Sequence, residues 1–180
     1  FYIIYTLHQQ TLTVTYRVEN NSGDDMYFSV GAHPAFAVPL QQHLSYDDYY
    51  LKFNQPENVQ RWPITKDGLI AQQPQPFFQQ QQLLPLRKTL FTNDALVFKK
   101  LASTCITLGS DGSAHGLDFH FDGFDYMGIW AAPGGDFVCI EPWCGIADSE
   151  AHNQQLIEKE GVIKLPRDAQ WTRAWHVNFF

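Results

Sequence analysis

Short runs rich in β-branched and aromatic residues, each cut off by Gly, Pro, Asn or Asp, recur along this chain, and no amphipathic helical period interrupts them. "DYYLKF", "ALVFKKL", "TCITLGS", "GLDFHF", "YMGIWAA", "DFVCIEPW" and "AWHVNFF" all read as strands. Strands at a spacing of roughly 8 to 12 residues without helices between them predict an all-β protein built on antiparallel sheets, a sandwich or a barrel. At the start, Leu12, Val14, Tyr16 and Val18 alternate with Thr11, Thr13, Thr15 and Arg17, which predicts a half-buried strand paired with the preceding run through a turn near His8 to Gln10. "NNSGDD" is a turn, and "MYFSVGAHPAF" reads as a third strand that breaks at its Gly and Pro. That break leaves His33 at a strand end.

Two stretches depart from this rhythm. "AQQPQPFFQQQQ" predicts an extended surface loop anchored by Phe77 and Phe78, and "DSEAHNQQLIEKEG" predicts a long excursion before the last strands. Long loops in compact β proteins often carry function.

The 180 residues, 44% apolar and 15% aromatic, are enough for one domain with a sizeable core, so a single domain over residues 1–180 is expected. Phe1 begins directly in strand-like sequence, and the expectation is a β-sandwich incomplete at its N-terminus, with an open edge that could pair two copies as a homodimer. A net charge of -7 with no basic cluster gives no foothold for nucleic acid or an anionic membrane. No apolar run approaches the roughly 20 residues that span a bilayer. Cys105, Cys139 and Cys144 match neither a disulfide framework nor a zinc knuckle, which fits a reducing cytoplasm, with Cys105 and Cys139 as buried strand residues and Cys144 in a turn.

No nucleophile elbow, phosphate-binding loop or dinucleotide fingerprint is present, and "DGSAHGLDFHFDGFD" lacks the spacing of a zinc or calcium site. What remains is acid–base chemistry, which needs one group to give a proton and another to take it. Glu141 follows the apolar run "FVCI" beside Trp143, where burial would raise its pKa toward a useful range; a carboxylate held by a structural arginine fits the pattern equally well. His33 is either its partner or a hydrogen-bonded turn residue. Asp94, in "LFTNDALVF", could take hydrogen bonds from hydroxyl groups or simply close an Asx turn. Five tryptophans, Trp143 among them, offer flat apolar faces of the kind on which pyranose rings stack, though core packing uses the same residues.

"GAHPAF", "DALVF", "GLDFHFDGFDYMGIWAAPGGDFVCIEPWCGIAD" and "LIEKEG", in this order, resemble the aldose 1-epimerase (galactose mutarotase) family, in particular its bacterial LacX-like branch. The resemblance covers nearly the whole chain, and "GAHPAF" with "CIEPWCGIAD" is its most specific part. It implies a large antiparallel β-sandwich of the galactose mutarotase-like supersandwich type and interconversion of the α and β anomers of a free aldose such as galactose or glucose. It further implies His33 as the acid that protonates the ring oxygen, Glu141 as the base at the C1 hydroxyl, Asp94 and Trp143 as sugar-binding residues, and no metal or other cofactor. Family members carry a further N-terminal portion that supplies an arginine and a second histidine. Neither can be assigned here, since His8 and His43 lack the context. A non-catalytic carbohydrate-binding or sensor protein on the same fold is the alternative. A phosphorylated sugar would need a basic pocket, for which only the scattered Arg61, Arg87 and Lys88 are available, so a neutral aldose is expected.

Overall fold

A computed structural model describes residues 1–180. Strands β1 (Tyr2–His8) and β2 (Thr11–Glu19) form the opening hairpin, and β3 (Met26–Phe28), β4 (Val30–Gly31) and β5 (Ala35–Ala37) are short. There follow β6 (Tyr49–Glu57), β7 (Gln60–Arg61), β8 (Gln75–Pro76), β9 (Gln81–Pro85), β10 (Leu96–Lys99), β11 (Cys105–Ser110) and β12 (Ser113–His120). The chain continues through β13 (Tyr126–Trp130), β14 (Phe137–Cys144), β15 (Ile163–Leu165) and β16 (Gln170–Phe179). The helical residues are confined to short 3₁₀ turns at Tyr46–Asp48, Lys88–Phe91 and Leu156–Glu158. None is long and apolar enough to cross a membrane.

The first sheet runs β1-β2-β16-β12-β11-β6-β9, and the second runs β4-β14-β13-β10-β7-β8 with β5 also on β14. Every strand pair within them is antiparallel. Side chains of a strand alternate between its faces, so each sheet offers one apolar face to the other. Val14, Leu51, Ile106, Phe119 and Trp175 from the first sheet meet Leu96, Phe98, Met127, Ile129, Val138 and Ile140 from the second in one cluster of 28 buried residues. The protein is therefore an antiparallel β-sandwich. Burial of each large side chain such as Phe53, Phe98 or Phe119 contributes about 1.5–3 kcal/mol relative to exposure.

The strands sit where the sequence pattern places them, with two differences. "MYFSVGAHPAF" is not one strand: Met26–Phe28 pairs with β15, Val30–Gly31 pairs with β14, and the chain changes sheets at Ser29. The Gln-rich stretch is anchored by Phe78, buried against Phe53 and Phe98, but its end, Gln81–Pro85, forms edge strand β9 on β6 with Leu84 buried. Glutamines are tolerated there because an edge strand of a sandwich buries only one of its faces. Cys105 and Cys139 are buried in strands as expected; Cys144, expected in a turn, is the buried last residue of β14.

The same alternation gives the second sheet an outer face, away from the core. Tyr126, Gly128 and Trp130 of β13 stand there, opposite Trp143, Glu141 and Cys139 of β14. A smaller apolar cluster of Ile70, Val97, Tyr126 and Ile146, flanked by Trp62, Ile64, Ala95 and Trp143, covers part of that face.

Candidate active site

β14 organises the site through its two neighbours. On one side Gly31 of β4 faces Trp143 and Ala35 of β5 faces Cys139, so His33, midway along the connection, falls opposite Glu141. Two backbone hydrogen bonds hold this connection to β14: Ala32 N–H donates to the Pro142 carbonyl at 3.0 Å, and Ile140 N–H donates to the Pro34 carbonyl at 3.3 Å. Gly and Pro in "GAHPAF" thus let the chain leave one short strand and enter the next with the imidazole on the outer face and Phe36 turned to the core, where it meets Phe119 edge-on at 5.9 Å.

The result is a direct contact. His33 Nε2 lies 3.3 Å from Glu141 Oε1, with the His33 side chain 60% exposed and that of Glu141 only 5%. Trp130 supports the imidazole from the side in an edge-to-face arrangement, ring centres 5.8 Å apart. Burial raises the Glu141 pKa above the usual carboxylate range; the His33 imidazole and the polar edge of the Trp143 indole oppose that rise, and the nearby Asp94 charge adds to it. A desolvated carboxylate of this kind holds a proton more readily than an exposed one, which suits it to proton transfer.

Trp143 lies flat on the sheet. A Cβ on either Gly31 of β4 or Gly128 of β13 would run into its indole, so the absence of a side chain at both positions makes room for the ring. Asp94 approaches from the segment after the 3₁₀ turn Lys88–Phe91, in the left-handed region at φ 75°, and its Oδ1 accepts a hydrogen bond from the Ala95 N–H at 2.7 Å. That bond goes to the next residue rather than to the N–H two residues on that an Asx turn uses, and Asp94 lines the cleft.

His33, Asp94, Glu141 and Trp143, far apart in sequence, line one cleft of about 500 Å³ together with Ile64, Phe91, Thr92, Ala95, Trp130 and Pro133. A smaller hollow of about 290 Å³ shares Trp143 but has no ionisable side chain, only Ser29, Val30, Gly31, Gly145, Ile146 and Ala147. Of these two hollows, only the larger cleft is lined by ionisable side chains. Trp130, beside His33, was not singled out in the sequence, and Cys139 was read there only as a buried strand residue. The two-residue period of a strand was the available signal for Cys139, since it places Cys139 on the Glu141 face. His8 ends the exposed strand β1 and His43 is exposed in a turn; neither lines the cleft. Arg61 bonds Gln75, Arg87 pairs with Asp47 and Lys88 with Asp136, so no arginine or lysine lines the cleft either.

Comparison with known proteins gives the same picture. The sequence model of the aldose 1-epimerase family matches residues 1–156. Protein LacX of Lactococcus lactis subsp. lactis, in plasmid and chromosomal forms, is 34% identical over 173 residues, covering 92% of this chain and 57% of that protein. A galactose mutarotase related enzyme from Lactobacillus acidophilus superposes with a TM-score of 0.86 at 26% identity, covering 99% of this chain and 60% of the other. A galactose mutarotase-like protein from Lactobacillus casei gives 0.87 at 26%, covering 99% and 62%. The chain spans 57% of the length of the curated relatives it matches. With a family match over most of its residues and a buried Glu paired to a strand-end His on the outer face of a β-sandwich, this chain belongs to the aldose 1-epimerase family.

Proposed function

We propose that the protein is an aldose 1-epimerase, a mutarotase that interconverts the α and β anomers of a free hexose such as galactose or glucose. The observation that carries this reading is the contact between His33 and the buried Glu141 at 3.3 Å within a cleft of about 500 Å³. Glu141, ionised, takes the proton from the C1 hydroxyl while protonated His33 gives one to the ring oxygen, and the C1–O5 bond breaks to leave an open-chain aldehyde. Rotation about C1–C2 presents the other carbonyl face. The O5 hydroxyl then attacks C1, returning its proton to His33, as Glu141 returns a proton to O1. The cycle is proton-neutral, and two positioned side chains perform it. Asp94 accepts hydrogen bonds from sugar hydroxyls, and Trp143 offers its exposed edge and face to the pyranose C–H groups.

A neutral sugar fits a cleft without Lys or Arg better than a sugar phosphate. Three free cysteines and the absence of disulfides accord with a reducing, cytoplasmic setting. The same reading includes pairing of two copies as a homodimer. The whole is read as one β-sandwich domain.

Polarimetry on freshly dissolved galactose or glucose tests the enzyme. Catalysed relaxation of optical rotation by the wild type and its loss in Glu141→Gln is the expected result; equal rates in the two proteins refute the assignment. Sugar binding by calorimetry with no acceleration of anomer exchange would instead establish a non-catalytic sugar-binding protein.

A further inference from the structure

Three donor atoms of different kinds converge at one end of the cleft, two from its lining and one from the buried Cys139 beneath it. Because β14 alternates, Cys139 stands on the same face as Glu141, and His33 reaches over both from the β4–β5 connection. A ring nitrogen of His33, the Cys139 Sγ and a carboxylate oxygen of Glu141 all lie within 4.8 Å of one another, the first and last only 3.3 Å apart. Ligand atoms bound to a tetrahedral cation at about 2.0–2.3 Å stand about 3.3–3.8 Å from each other, so movements of about an ångström close this cluster on an ion.

We propose that His33, Cys139 and Glu141 form an inhibitory site for a thiophilic divalent cation of the zinc and cadmium class, which, on the enzymatic reading above, competes with the sugar. The donor set of nitrogen, sulfur and oxygen suits such ions, whereas magnesium and calcium take oxygen donors. Three protein ligands leave a fourth position facing the cleft, open to water. Ligation exchanges the Cys139 thiol proton for the metal and releases it to solvent. The His33 lone pair and the Glu141 carboxylate are then both engaged, so neither can move a proton to or from a sugar. The His33 side chain is largely exposed, while Cys139 and Glu141 are buried in β14, which is paired on both sides. The other two cysteines belong to no such three-donor group: Cys144 Sγ faces the Gly123 carbonyl at 3.8 Å beside Arg173, and Cys105 Sγ lies 3.7 Å from His120 Nε2.

Cadmium titration of the whole chain under reducing, chelator-free conditions, following the ultraviolet thiolate-to-cadmium charge-transfer band, tests this without reference to activity. One equivalent should give the band, C139S should lose it, and the C105S/C144S double variant should keep it. H33N and E141Q, which retain the thiol, should weaken cadmium binding by about tenfold or more. Zinc should slow mutarotation reversibly, with chelator restoring the rate and high sugar relieving the inhibition. In C139S the half-inhibiting zinc concentration should rise about tenfold or more. No band in the wild type, a band surviving in C139S, or unchanged cadmium affinity in H33N and E141Q overturns the proposal. If the metal-free chain catalyses no mutarotation, the enzymatic reading fails and the cadmium series alone decides the cation site.

Discussion

Two histidine sites on outward faces of the sandwich, one in a connection between strands and one on paired strands, have opposite surroundings. His33, in the β4–β5 connection, meets a buried carboxylate of β14 at 3.3 Å. In the first sheet, His120 of β12 faces His176 of β16, their rings stacked with centres 4.3 Å apart and planes 11° from parallel. Each imidazole stands on a non-core face, His33 from a connection between strands and His120 and His176 from paired strands, and the residue opposite decides what it can do. Opposite His33 is an acceptor with a raised pKa; opposite His176 is another imidazole, and burial together with that neighbour lowers the His176 pKa. The first arrangement can move protons in a cleft; the second keeps a proton out of a sheet.

Exchanging the two histidines for asparagine breaks the comparison most directly. H33N should cost about 10²–10⁴-fold in kcat/KM for mutarotation, the range for a lost general acid, whereas H176N should leave the rate close to wild type. Equal losses would remove the distinction between the two sites. Glu141→Gln should at the same time keep or raise the melting temperature at pH 7. A carboxyl whose folded pKa is raised by burial makes the native state less stable as pH rises through that pKa, and glutamine carries no such charge.

Filling the space under Trp143 tests whether the cleft needs its flat aromatic wall. Gly128→Ala puts a methyl against the indole and should cost about 1–3 kcal/mol in denaturant unfolding, with a raised KM as the ring tilts into the cleft. Asp94→Asn should be milder, raising KM by about twofold to tenfold with little change in kcat, as expected for one hydrogen bond to a bound hydroxyl. An effect on kcat alone would move Asp94 from binding to proton transfer.

The smallest expected effect belongs to the stacked pair. Its direction follows from proton counting: as pH falls through the ordinary histidine value near 6.5, the unfolded chain takes a proton at His176 and the folded chain does not until lower pH. The stability that His176 lends above that value is lost as pH falls through its lowered folded pKa. Melting temperatures between pH 7 and pH 5 should therefore drop less in H176N than in the wild type. A parallel drop in both would assign the acid sensitivity to other groups.

Much of this architecture is legible in local pattern. The alternation of Val14, Tyr16 and Val18, the apolar run ahead of Glu141 and the Gly and Pro around His33 all announced their backbone roles, because strand burial has a period of two and turns need particular residues. The fold and the four cleft residues His33, Asp94, Glu141 and Trp143 were reachable once the "GAHPAF", "DALVF" and "CIEPWCGIAD" motifs were read together. The division of "MYFSVGAHPAF" between two sheets was not, since pairing partners as distant as β14 and β15 leave no trace in that segment. Nor was the β9 edge visible beneath its glutamines.

The amino-acid order by itself determined which residues alternate, where the chain turns and which ionisable groups close a strand, because these depend on each residue and its near neighbours. Only the tertiary structure decided which group each histidine faces. Register between segments more than a hundred residues apart set His33 beside Glu141 and Cys139, and register between strands more than fifty residues apart set His176 beside His120. Such contacts are fixed by hydrogen-bonded ladders and core packing that form across the whole sandwich, so the chemistry of a side chain identified from sequence becomes defined only when its partner arrives from elsewhere in the chain.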